Sequence, residues 1–98
     1  MQLYLLFLAT LLSILRFKTY FIIKFMLEDI KSLISEIIDI SMADLTYESG
    51  PLSHPEWDSL AHLCIVSAIE DKYKIKIKMN QIIEIKNIRD IENIIKEN

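Results

Sequence analysis

Isoleucine and leucine recur at intervals of three and four along most of this chain, and that spacing constrains its fold before any other feature. Leu27, Ile30, Leu33, Ile34, Ile37 and Ile38 form one stripe, with Glu28, Asp29, Lys31, Glu36 and Asp39 between them. Such a pattern turns one helix face toward a core and the other toward water. It predicts an amphipathic helix over about 26–40, with Glu28 and Asp29 in a first turn where the helix dipole favours acids. Ile88, Ile91, Ile94 and Ile95 form a second stripe, predicting a last helix over 88–97 capped by Asn87. One glycine and two prolines in 98 residues leave little turn chemistry for a many-stranded alternative.

A chain of this length is one small domain, near the lower limit for burying a useful core without staples. Its single cysteine, Cys64, excludes an internal disulfide and suits a reducing compartment. Charge is divided unevenly. Residues 1–25 carry Arg16, Lys18 and Lys24 and no acid, while 26–98 carry eight basic and fourteen acidic side chains, a formal charge of −6. An acidic body disfavours nucleic acid and favours proteins with basic docking patches.

The first 25 residues stand apart. Leu3 to Leu15 is apolar except for Thr10 and Ser13. That run falls short of the ~20 residues that span a bilayer, and extending it to Met26 buries Arg16 and Lys18. No positive residue precedes the run and no small-x-small site follows it, which makes it a poor secretory signal. A helix over about 2–24 is expected, under three readings: upstream sequence ahead of a start at Met26, a membrane anchor, or an extra helix packed on the domain.

After the first stripe, Ser41 to Trp57 is turn and cap chemistry, with Leu45, Leu52 and Trp57 expected to plug it onto the bundle. A second helix is expected from Ser59 to about Tyr73, capped by Asp58 or Ser59. Ile65, Val66, Ile69 and Tyr73 share one side of it, with His62 near their centre. Leu60, Leu63, Cys64, Ser67, Glu70 and Asp71 share the other, so the helix is buried on both sides or offers a patch to a partner. Lys74 to Lys78 alternates like a strand but has no partner strand, and reads as an extended link inserting Ile75 and Ile77. Asn80 to Glu84 reads as a short helix contributing Met79, Ile82 and Ile83. The sum is all-α: three main helices plus one short one, preceded by the apolar helix.

Catalytic chemistry is thin. His62 and Cys64 diverge on a helix and make no dyad, and no metal-ligand spacing or glycine-rich phosphate loop is present. Ser59 has no histidine placed to activate it as a nucleophile. It does open an apolar helix, where the N-terminus favours anions.

Residues 26–98 resemble the acyl carrier proteins of the phosphopantetheine-binding family. The resemblance rests on Trp57-Asp58-Ser59-Leu60, on Ile69-Glu70-Asp71-Lys72-Tyr73 closing the second helix, on Ile75-Lys76-Ile77, and on Ile85-Lys86-Asn87-Ile88 entering the last. It implies a small acyl-carrier-like four-helix bundle with 4′-phosphopantetheine on Ser59, transferred from coenzyme A by a Mg²⁺-dependent phosphopantetheinyl transferase that Asp58 helps to engage. Leu60, Leu63, Glu70 and Asp71 match positions that meet partner enzymes. No catalytic residue and no resident metal are implied. The cargo would be an acyl thioester delivered to acyl-transferring or synthase enzymes of a fatty-acid, polyketide or related specialised pathway, by a cytoplasmic monomer whose bundle can open a groove to shelter it. A membrane enters only through residues 1–25. An aminoacyl or peptidyl carrier, and an unmodified helical interaction domain, are the alternatives. The chain departs from the family pattern at Cys64, which often is an acid, at Lys78-Met79 in place of a Pro-acid step, and in the tryptophan before Asp58.

Overall fold

The computed structural model describes residues 2–98. Helix α1 runs from Gln2 to Ile38, α2 from Ser59 to Tyr73, α3 from Met79 to Glu84 and α4 from Ile88 to Glu97, with a 3₁₀ turn at Met42–Asp44. No strand occurs among the described residues, and Lys74–Lys78 is an extended link. Its isoleucines point inward as expected, Ile77 buried and Ile75 packed at the core's edge.

The apolar segment and the first amphipathic stripe are one uninterrupted helix rather than two. No glycine or proline lies between 2 and 38 to break it. Glu28 and Asp29 therefore lie in mid-helix, not in a first turn. At 1.5 Å per residue, 37 residues give about 55 Å, so α1 accounts for the molecule's long dimension of 59 Å. It stops where Asp39 turns left-handed at φ 57°, a conformation that aspartate tolerates better than most residues.

The other helices end on local chemistry. Asp58 caps α2, its carboxylate accepting the Ala61 amide at 2.8 Å, and Asn87 caps α4 by accepting the Asp90 amide at 2.9 Å. Lys74 closes α2 in a left-handed conformation, and the Ile75 amide reaches back to the Glu70 carbonyl.

The core lies among the second half of α1, α2, α4 and the long loop. Ile30, Ile34, Ile65, Ile69, Ile88 and Ile91 are sealed in it, with Leu45 and Trp57 plugging from the loop. Leu52, expected to be a third plug, is 97% exposed, and Met79 and Ile83, expected in the core, are 69% and 75% exposed. Only Ile82 of α3 packs inward, because a six-residue helix can turn only one face to the bundle.

Tyr73 has a buried hydroxyl with no hydrogen-bond partner among the described residues. Burial, and then the nearby Asp29 charge, push its phenol above the ordinary value. A raised native value means that stability is present below the unfolded value near 10 and is lost as pH climbs through the native one. Tyr73→Phe should therefore gain about 1 kcal/mol at neutral pH, by removing an unpaired buried hydroxyl. It should also shrink the alkaline loss. Urea melts at pH 7 and above pH 10 would check both.

Candidate functional site

Ser59 is the first residue of α2, and its side chain is exposed, without a hydrogen-bond partner among the described residues. The capping of α2 explains this freedom. Asp58 supplies both the side-chain cap to Ala61 and the carbonyl that receives the His62 amide at 2.8 Å, the first rung of the helix. Ser59 has no structural task to perform. The helix start leaves the Ser59 and Leu60 amides outside the helical ladder, and an anion held on the Ser59 oxygen would meet the positive end of α2.

Ser59 also stands at the rim of an open, mainly apolar groove of about 600 Å³ between α2, α3 and the loop. Trp57, His62 and Ile82 form its floor. Leu63 lies on its α2 side, Met79 and Ile83 on its α3 side, and Leu52 at the loop side. The three residues that missed the core are thus walls of this groove. Met79 and Ile83 are four apart on one helix face, with Ile82 set about 60–100° round the axis toward the bundle, an offset too small over six residues to be read from spacing.

The groove floor is held by a relay through the one buried tryptophan. The indole Nε1–H of Trp57 donates to His62 Nδ1 at 3.0 Å, and His62 Nε2 meets the Ile82 carbonyl at 2.9 Å. With Nδ1 accepting, the proton sits on Nε2 and is donated to Ile82, so the imidazole is the neutral tautomer bridging the loop, α2 and α3. The sequence placed His62 near the centre of the apolar side of α2, and the structure adds this bridge.

The other expected site residues divide. Leu60 and Leu63 are 72% and 54% exposed, on the same side of α2 as the exposed Cys64. Glu70 and Asp71 lie at the far end of α2, about 16–18 Å from Ser59 by helical rise. Glu70 is turned inward, its carboxylate accepting the Ile77 amide at 3.0 Å and pinning the link to α3. Asp71 is exposed and only loosely paired with Lys74 at 3.9 Å. The arrangement puts an unengaged hydroxyl at a helix start beside an apolar groove, with Leu60 and Leu63 open to a partner. No cluster able to hold a metal occurs among the described residues.

Comparison with known proteins finds a matching family model and similar solved structures. A family model described as a phosphopantetheine attachment site matches residues 28–95. The solution structure of a holo acyl carrier protein from Geobacter metallireducens superposes with a TM-score of 0.65 at 25% identity, covering 72% of this chain and 82% of that one. No curated protein sequence matches the chain.

Proposed function

Because the matched model covers more than half of its length, the chain belongs to the phosphopantetheine attachment site family, and we propose that residues 26–98 are an acyl carrier unit loaded at Ser59. The observation that carries this reading is the exposed, unpartnered Ser59 hydroxyl at the head of α2, on the rim of an apolar groove. These residues suit the family's group. The Ser59 oxygen would take the phosphodiester, with the Ser59 and Leu60 amides and the α2 dipole facing its charge. Asp58 keeps α2 capped, so the helix start is already formed when the transferase arrives, and it offers that enzyme a carboxylate. When bound, 4′-phosphopantetheine supplies a thiol that holds an acyl group as a thioester.

The chain's own contribution is positional. The groove offers apolar cover of the kind a fatty or polyketide chain requires, and tethering raises the local concentration of cargo at a docked enzyme. Leu60 and Leu63 provide the docking contact. Asp71 adds charge at the other end of α2, whereas Glu70 is committed to the Ile77 amide. In this reading the protein performs no chemical step itself.

Intact mass after co-expression with several phosphopantetheinyl transferases tests the proposal. A gain of one phosphopantetheine per chain is expected. No gain with any of them overturns it, and leaves an unmodified interaction domain that docks through Leu60 and Leu63. Leu63→Asp separates docking from folding. Leu63 is more than half exposed, so far-ultraviolet circular dichroism should hardly change while acyl transfer by a partner enzyme falls about tenfold or more, roughly one to two kcal/mol of lost contact.

A further inference from the structure

We propose that residues 2–25 of α1 seat in an anionic lipid bilayer and hold the carrier unit upright, with Ser59 at the end remote from the lipid. The inference is independent of what Ser59 carries.

The nature of the exposed surface identifies the occupant. Leu3, Tyr4, Leu5, Leu6 and Phe7 are consecutive, and each is 64–83% exposed. Five successive helical residues pass once around the axis, so α1 is apolar on every side here. A second copy or a soluble partner would cover one face and leave the rest wet, whereas hydrocarbon covers all of them. The cations agree. Arg16, Lys18 and Lys24 are exposed and no acid lies among residues 1–25. At 100° per residue these three point in different directions, so the helix has no polar face on which to lie in the membrane plane. They instead form a collar below the apolar run, placed to meet anionic headgroups. Leu3–Leu15 rises about 20 Å, less than the ~30 Å of a hydrocarbon core, and the long arms of Arg16 and Lys18 reach back to the headgroups across part of the difference. By length and composition α1 qualifies as a membrane-crossing helix.

Orientation follows from continuity and charge. α1 enters the bundle without a break. Lys72, near the end of α2, pairs with Asp29 at 4.0 Å, so α2 runs antiparallel to α1 with its last turn nearest the lipid. Ser59 is fourteen residues back along α2 from Tyr73, about 20 Å further from the bilayer. The formal charge of −6 on residues 26–98 is repelled by the surface that attracts the collar, which keeps the bundle off the lipid.

Flotation of the full chain with vesicles tests this. The expected result is co-flotation with phosphatidylcholine vesicles containing phosphatidylglycerol, and weaker flotation with phosphatidylcholine alone. Trp57, the sole tryptophan, should keep its fluorescence when the floated vesicles carry brominated acyl chains. The double variant Leu6→Asp, Leu12→Asp changes two exposed side chains outside the core, and should abolish flotation with the bundle's thermal melt unchanged. Arg16→Glu with Lys18→Glu should remove the preference for anionic vesicles. Full chain left at the bottom of the gradient with both compositions overturns the proposal, as does flotation that survives the double variant. Strong quenching of Trp57 overturns the orientation. A soluble dimer in the absence of lipid, abolished by the double variant, assigns the apolar segment to a second copy instead.

Discussion

Ser59→Ala should leave a protein with the wild-type helical signal and no phosphopantetheine mass gain under conditions that load the parent completely. The full effect is expected because no other hydroxyl stands at the head of a long helix. Ser49 is buried and accepts the Thr46 amide at 2.9 Å, and Ser53 is occupied with Gly50. Folding should be untouched because Asp58, not Ser59, caps α2, and alanine is well suited to a first helical turn. Asp58 needs a finer substitution. Asp58→Ala would remove a cap worth about 1 kcal/mol and confound stability with recognition. Asp58→Asn keeps an oxygen for the Ala61 amide and removes only the charge. Slower loading in Asp58→Asn at unchanged stability would assign the carboxylate to transferase recognition. Loading that persists in Ser59→Ala would mean the wrong residue has been named.

The second large effect is on stability. Gly50→Ala should destabilise the bundle by about 3 kcal/mol or more, at the upper end of overpacking penalties. A β-carbon at Gly50 would lie 1.9 Å from the Lys86 carbonyl oxygen and 2.8 Å from its carbon. Both are main-chain atoms and cannot rotate away. The approach is forced by two further main-chain bonds, from the Ile88 amide to the Ser49 carbonyl at 3.0 Å and from the Arg89 amide to the Tyr47 carbonyl at 3.1 Å. They clamp the loop to the entrance of α4. Equilibrium urea denaturation measures the loss, and a midpoint within experimental error of wild type would show that the loop gives way without the clamp.

The clamp also marks where the sequence stopped being legible. The ends of α2 and α4 could be read because caps are local: Asp58 and Asn87 bond to amides three residues on. The isoleucine stripes gave the core faces for the same reason. Gly50 could not be read, because its constraint comes from Lys86, far along the chain. Leu52, Met79 and Ile83 were misplaced since an apolar residue in a loop or a six-residue helix carries no periodicity long enough to show which way it faces. The division at Met26 followed composition, whereas helix continuity depends on the absence of breakers, and none intervenes. In the candidate site, Ser59, Leu60 and Leu63 stand exposed near one another as the sequence suggested. The inward turn of Glu70 depended on where the link to α3 would run.

The core composition has a mechanical consequence. Of the fourteen buried apolar residues described, eleven are isoleucine. Branching at the β-carbon restricts each to few rotamers, so such an interior does not reshape itself around a guest. Room for a longer chain has to come from displacing a wall. The shortest wall is α3, six residues long, which turns Ile82 to the core and is tied to α2 through His62. Under the carrier function proposed above, capacity would then be a matter of hinge travel rather than repacking, with the bond from His62 to the Ile82 carbonyl acting as the latch on that wall.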